Sequence, residues 1–218
     1  MIKNLIFDLG GVVLPLHPEE AYRRFEQMGI KSARERMGVY GQTGIFRETE
    51  DGSIDAPTFC HKLAQIAQEE SGAFAGEANP AFTFEQAQWG WLGYIDYVDQ
   101  SRLDHLLELK QHYNVYLLSN TNPFMMAWAD SDEFSKDGHP LSYYFHKLYY
   151  SYQMKAYKPA PEIFEQMLAD AGIEASESLF LDDGPANVAA AQGVGLHALL
   201  VEKNEDWWEP LMQVIGKQ

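Results

Sequence analysis

Cysteine is almost missing from this chain. Cys60 is the single one in 218 residues, so no internal disulfide is possible and a disulfide-stapled secreted domain is excluded. Positive charge is scarce as well. Lys and Arg number 16 against 32 Asp and Glu, a formal charge of -16. So acidic a surface lacks the clustered cations that nucleic acid or an anionic membrane requires. Nothing approaches the ~18 consecutive apolar residues of a membrane-spanning helix, and no apolar signal segment opens the chain. No internal repeat or low-complexity tract occurs. The expectation is a soluble, cytoplasmic protein, monomer or homodimer, with no nucleic-acid or membrane partner.

What is present is enough for a core. Hydrophobic residues make up 46% of the chain, and the length suits one large domain or a core domain with a smaller companion. Leu5, Ile6 and Phe7 read as a short strand buried on both faces, ended by Asp8 and the turn-forming pair Gly10 and Gly11. From 15 to 93 the periodicity is helical and no strand is evident. Pro18 begins a helix that Gly29 stops, 38–55 reads as largely loop, and Asp55 caps a helix over 56–69. The stretch 70–81 reads as loop, and 82–92 as a helix carrying Trp89 and Trp91.

Beyond that stretch the pattern alternates. An amphipathic helix over 101–112 precedes a strand at Val115, Tyr116, Leu117 and Leu118. A short helix begins at Phe124, and Leu148, Tyr149 and Tyr150 suit a further strand. A helix over 159–172, a strand at Leu179, Phe180 and Leu181, an Ala-rich helix over 188–192, a strand over 197–201 and a closing helix over 207–215 follow. Strands alternating with helices predict a parallel α/β sheet with right-handed crossovers.

Three strands end in polar residues: Asp8, then Ser119 and Asn120, then Asp182 and Asp183. Lys158 stands just before another helix. In a parallel sheet all carboxyl ends share one edge, so these groups can meet in one crevice. Carboxylates suit Mg²⁺, and the metal with Lys158 would offset the charge of a transferring phosphoryl group. Ser119 and nearby backbone N–H groups can donate to phosphate oxygens, and an Asp can attack phosphorus covalently. The substrate would then be a small phosphorylated metabolite, drawn in by local cations against an acidic surface.

Taken in order, Phe7-Asp8-Leu9-Gly10-Gly11-Val12, Leu118-Ser119-Asn120-Thr121-Asn122, Lys158-Pro159-Ala160-Pro161-Glu162-Ile163-Phe164 and Phe180-Leu181-Asp182-Asp183 resemble the four motifs of the haloacid dehalogenase-like hydrolase superfamily. Phe46, Gly52-Ser53-Ile54 and Phe59 resemble its glucose-1-phosphatase-like branch with a small helical cap. The resemblance implies a Rossmann-like parallel core over 1–14 and 94–218, with an α-helical cap over 15–93 inserted after the first strand. It implies a Mg²⁺-dependent phosphatase, acting on sugar phosphates among other small esters through an aspartyl-phosphate. Asp8 would be nucleophile and metal ligand, Lys158 its catalytic partner, and Ser119, Asn120 and Gly11 the phosphate-binding groups. The Gly10 carbonyl, Asp183 and Asp182 would complete the metal site, Asp182 directly or through water.

One departure matters. Phosphatases of this superfamily carry a second Asp two residues after the nucleophile, which protonates the leaving group. Gly10 stands there instead. General acid–base help is worth about 10²–10⁴-fold in rate, so either the favoured esters would have good leaving groups, such as an anomeric sugar phosphate, or water or another residue would assist. His17 is a substitute by proximity, although a surface or capping role suits it better. An impaired phosphate-binding or regulatory protein is the alternative reading, and a 2-haloacid dehalogenase a third. Lys155, where relatives carry Gly, reads as solvated. The acidic run 48–51 lacks the alternating ligands of a calcium loop. Cys60 reads as packing, and Trp207 and Trp208 as cover for the core.

Overall fold

The computed structural model describes residues 1–38, 41–71 and 81–216. Its elements in chain order begin with β1 (Asn4–Phe7), α1 (Pro18–Gln27), α2 (Ala33–Arg36), α3 (Gly44–Glu50), α4 (Ala56–Ser71) and α5 (Phe84–Trp91). There follow α6 (Gln100–Leu109), β2 (Asn114–Ser119), α7 (Pro123–Ala129), β3 (Lys147–Tyr150), α8 (Ser151–Met154) and α9 (Pro161–Ala171). The chain closes with β4 (Ser178–Asp182), α10 (Pro185–Gly193), β5 (His197–Leu200) and α11 (Trp208–Ile215).

The five strands form one sheet in the order β3-β2-β1-β4-β5, and every neighbouring pair is parallel. The α/β expectation therefore holds. Central β1 is buried at all four residues, which explains why its sequence is a continuous apolar run rather than an alternation. Phe7 pairs with Leu117 on one side and Leu181 on the other. Strand order reverses beside β1, and an open α/β sheet forms its ligand crevice at such a point. On one face, Ile163, Phe164, Met167 and Phe180 form a compact apolar cluster. On the other, Trp207 lies against Phe7 with ring centroids 4.9 Å apart. The last helix thus covers the core, as its two tryptophans suggested.

Helices α1 to α5 fall between β1 and β2 in the chain, where the sequence shows helical periodicity only. Their centre is Phe46, whose ring meets Phe25, Phe59 and Trp91 at 5.1, 5.5 and 5.5 Å. Phe124 of α7 packs on Phe59 and Phe84 at 5.2 and 4.7 Å, so the apolar cluster runs on from these helices into the sheet domain. Trp89 remains exposed under Arg24, while Trp91 is buried.

Local signals account for the boundaries. Asp55 accepts from the Thr58 N–H at 2.9 Å ahead of α4, and Thr83 forms a reciprocal capping box with Gln86 at α5. Gly29, with φ 94°, follows α1 as its stop. The reading of 38–55 as largely loop is corrected by α3. Residues 39 and 40 of that stretch lie outside the described residues. The glycines and threonines of this stretch disguise the helix, although Arg47, Glu48 and Glu50 favour it, and docking of buried Ile45, Phe46 and Thr49 stabilises a segment too short to be helical alone. The loop expected over 70–81 lies mostly outside the described residues, and α4 runs on to Ser71.

Gly52 ties α3 to α8. Its φ is 75°, and an added Cβ would run into the Tyr152 carbonyl oxygen. Gly52→Ala should therefore lower stability by about 2–3 kcal/mol, combining left-handed strain with overpacking. Thermal denaturation should show a fall of roughly 4–10 °C for a chain of this size. A melting point equal to that of the parent would contradict the close approach.

Candidate active site

Asp8 is the first residue beyond β1, and its N–H donates to the Leu181 carbonyl at 2.9 Å. Flanking β2 ends at Ser119 and β4 at Asp182. The parallel register therefore delivers the three polar strand ends to one edge. They open into a cavity lined by Asp8, Gly10, Ser119, Asn120, Lys158 and Asp183, among others.

Lys158 is the pivot. It is 1% exposed, and its Nζ lies 2.8 Å from Asp8 Oδ1 and 2.7 Å from Asp182 Oδ2. Burial alone would pull the ammonium down, but the two carboxylates overcome this and raise its pKa. Asp182 is fully buried and has little capacity left. Its Oδ1 accepts from the Gly184 N–H at 2.7 Å and Asn187 Nδ2 at 2.9 Å, and its Oδ2 takes Lys158. Asp182 does not line the cavity, whereas Asp183 does.

Asn120 has a task that its place in the motif does not reveal. Its Nδ2 donates to the Lys158 carbonyl at 3.0 Å, and its Oδ1 accepts the Lys158 N–H at 2.9 Å. The carboxamide thus clamps the backbone of the lysine. Next in line, the Thr121 N–H donates to Ser151 Oγ at 2.9 Å, and that hydroxyl donates to the Glu50 carbonyl at 2.5 Å. Asn122 caps α7 by accepting from the N–H groups of Phe124 and Met125.

Of the two glycines, Gly10 lines the cavity and Gly11 does not. The Gly11 N–H donates to the Leu14 carbonyl at 2.8 Å. With φ 80°, its missing Cβ leaves room for Asp183 Oδ2, which such an atom would meet at 2.7 Å. Beside Gly10 the space is filled by Leu16, whose Cδ1 would lie 2.5 Å from an added Cβ. His17 is exposed, does not line the cavity, and makes no side-chain cap at the start of α1. Lys155 is exposed with φ 51°, a left-handed conformation that suits glycine better than lysine.

The carboxylates fit a hard divalent cation. Asp8, Asp182 and Asp183 offer oxygens within 4.8 Å of one another. Three carboxylates meet the Lys158 ammonium, with Lys203 acting on Asp183, so negative charge remains in excess and the cluster is under-neutralised. Burial raises the pKa of Asp8 above the carboxylate range; Lys158 opposes this, and Asp182 and Asp183 add to it. Asp183 is raised chiefly by burial and by Asp182. Both Asp182 oxygens are engaged, Asp8 Oδ1 takes Lys158 and the Leu9 N–H, and Asp8 and Asp183 are the carboxylates of the set that line the cavity.

Several cavity residues escaped the sequence reading. Gln42, Glu50, Trp91, Tyr94 and Tyr157 all line it. Glu50 closes α3 and is 6% exposed, and its Oε2 accepts from the Tyr157 hydroxyl at 3.0 Å. Burial pushes its carboxyl up to about 8, against Tyr157, Arg47 and Asn122, which favour the charged form. One signal was visible. Glu50 follows Phe46 by four residues, which puts a carboxylate on the apolar face of α3.

The family model for haloacid dehalogenase-like hydrolases matches residues 2–195. The chain belongs to that family. It is 41% identical over 216 residues to a D-ribitol-5-phosphate phosphatase of Bacteroides thetaiotaomicron, covering 99% of this chain and 100% of that one. Among solved structures, a predicted HAD-like family hydrolase from Porphyromonas gingivalis is 34% identical over 100% of both chains, with a TM-score of 0.90. A haloacid dehalogenase family enzyme of Bacteroides thetaiotaomicron, solved with magnesium and inorganic phosphate, is 33% identical. It matches over 96% of this chain and 99% of that one, with a TM-score of 0.81. Membership in the haloacid dehalogenase-like hydrolases agrees with the four-motif resemblance.

The Asn120 clamp makes a prediction. Asn120→Ala removes two hydrogen bonds to the Lys158 backbone and should cost about 1–3 kcal/mol in urea unfolding. Asn120→Asp keeps the acceptor but sets a carboxylate oxygen against the Lys158 carbonyl in a site already rich in negative charge, and should cost at least as much as Ala. Parental stability in both variants would show that the clamp is dispensable.

Proposed function

We propose that this hydrolase cleaves the phosphate monoester of a small polyhydroxylated metabolite, a polyol or sugar phosphate, with Mg²⁺ as its resident metal. The observation that carries the reading is Asp8, held by Lys158 at the switch point of the sheet, inside a cavity it shares with Asp183 and Ser119. The relative that acts on D-ribitol 5-phosphate supports a polyol ester, and the relative solved with magnesium and inorganic phosphate supports the metal. Gln42 and Trp91 support it too, since Gln42 Oε1 and Trp91 Nε1 are buried without a hydrogen-bond partner among the described residues. A chain of hydroxyls offers both donors and acceptors to such a wall.

In this reading Asp8 attacks phosphorus and becomes an aspartyl-phosphate, which water then hydrolyses. Lys158 orients the attacking carboxylate and offsets charge on the phosphoryl oxygens. Ser119 Oγ and the backbone N–H of Asn120 take those oxygens at the end of β2. Mg²⁺, held by Asp8, Asp183 and the Gly10 carbonyl, would supply further compensation of the phosphoryl charge. Asp182 serves from behind by anchoring Lys158. Gly11 acts as a spacer for Asp183. Residues 15–93 form the cap over a core of 1–14 and 94–218. Leu16, Pro18, Gln42 and Trp91 supply its wall of the cavity and exclude bulk water during the reaction.

A dehalogenase would leave the under-neutralised Asp8, Asp182 and Asp183 cluster without a task. A purely phosphate-binding protein is the reading that Gly10 favours, and turnover decides against it or for it.

Phosphate release from D-ribitol 5-phosphate and a panel of sugar phosphates provides the check. Activity should need Mg²⁺, vanish with a chelator and return on adding the metal back. Asp8→Asn should reduce turnover to background while leaving the fold intact by circular dichroism. Retained hydrolysis in that variant would rule out the covalent route. Phosphate binding without turnover on every ester would rule out the enzyme.

A further inference from the structure

The site as described has a nucleophile and no proton donor for the leaving group. This matters most for a polyol phosphate, whose leaving group is an alkoxide and a poor one. Gly10 cannot help, and Leu16 occupies the space its side chain would use. The titratable groups that line the cavity are few. Asp8 is the nucleophile of the proposed reaction and Asp183 belongs to the metal set. Lys158 is held between two carboxylates. Lys203 stands on the Asp183 side, its Cγ 3.3 Å from where a Gly11 Cβ would lie. Burial drives the hydroxyls of Tyr94 and Tyr157 well above their usual range, too high for proton exchange near neutrality. No histidine lines the cavity among the described residues. Glu50 remains.

We propose that Glu50 is the general acid and base of this hydrolase, replacing from α3 the side chain that Gly10 lacks. This rests on the phosphatase reading above. The position of Glu50 is defined at both ends: Ser151 Oγ donates to its carbonyl at 2.5 Å, and the Tyr157 hydroxyl donates to its Oε2 at 3.0 Å. Tyr157 immediately precedes Lys158, so the carboxyl is linked through one hydroxyl to the segment that carries the catalytic ammonium.

The step balances. Asp8 Oδ bonds to phosphorus as the phosphorus–oxygen bond to the alcohol breaks, and the departing oxygen takes the proton of Glu50. The alcohol leaves and Glu50 is a carboxylate. Water then attacks phosphorus and gives a proton to Glu50 as the bond to Asp8 breaks. Inorganic phosphate leaves, and both carboxyls are restored. For this the carboxyl must be protonated in the resting enzyme. Burial favours that state, and Asp51 adds to it. Tyr157 from the segment before α9, Arg47 on the same helix and Asn122 at the head of α7 oppose it, with Tyr94 facing from the stretch before α6. The neutral acid is lost as pH rises past about 8, so turnover of an alkyl ester should fall on the alkaline side.

The test compares two leaving groups on the full-length protein with Mg²⁺. D-ribitol 5-phosphate needs a proton donor; p-nitrophenyl phosphate leaves as a stable anion and does not. Glu50→Gln should lower kcat/KM, which reports formation of the aspartyl-phosphate, by about 10²–10⁴-fold on the first and by far less on the second, while kcat falls on both because hydrolysis of the intermediate loses its base. The alkaline fall in kcat/KM should appear with the ribitol ester only. Adding Gly10→Asp to the Glu50→Gln enzyme should restore part of the lost rate once Leu16 moves aside. Equal losses of kcat/KM on both esters, or a loss on the ribitol ester that lies wholly in KM with kcat unchanged, would overturn the assignment and make Glu50 a structural or hydroxyl-binding residue. No turnover of either ester by the parent protein would remove the phosphatase reading itself, and the assignment with it.

Discussion

A single buried ammonium organises this protein. Lys158 sits between Asp8 and Asp182, out of water, with each carboxylate within 2.8 Å. An isolated buried ion costs several kcal/mol after relaxation, and a partner offsets this only if the geometry is good. The three groups come from the end of β1, the end of β4 and the segment before α9. Each must arrive correctly or leave a charge unpaired. The surrounding bonds serve that condition. Asn120 grips the lysine backbone, while Gly184 and Asn187 saturate the rear oxygen of Asp182. The price of this arrangement is a cluster with more negative than positive charge, which is the property that suits a divalent cation and a phosphoryl group.

The opposite wall of the cavity is built by helices. Here apolar packing, rather than charge, sets positions. Phe46 docks α3 among Phe25, Phe59 and Trp91, and Gly52 lets the following turn approach Tyr152 closely. That docking carries Glu50, at the helix end, into the cavity. The same residue is a burden on stability and a resource for chemistry, because burial that disfavours its charge also keeps its proton available. A site lacking a donor beside the nucleophile can draw one from the facing helix.

Much of the fold was legible along the chain. The strands of the sheet are short apolar runs broken by glycine or by polar residues, and such runs obey local rules. So does the cap at Asp55. α3 was not legible as a helix, since it has only seven residues, begins at Gly44 and draws its stability from the docked face. Trp89 and Trp91 look alike in sequence, yet one is exposed and the other buried, because two residues are about half a helical turn and place them on opposite faces of α5.

The candidate site divides in the same way. Asp8, Ser119, Asn120, Lys158, Asp182 and Asp183 could be named from sequence, because strand ends in a parallel sheet must share an edge. Their division of labour could not. Adjacent carboxylates point in different directions, so that Asp182 holds the lysine and Asp183 faces the cavity. Gly10 and Gly11 are likewise adjacent, and only the tertiary structure shows one on the cavity wall beside Leu16 and the other making room for Asp183. Sequence order determined which chemical groups gather at the sheet edge, since topology follows from periodicity. Which oxygen is free, which glycine is a spacer and which distant carboxyl reaches the cavity were decided by packing between segments far apart in the chain, which no local pattern encodes.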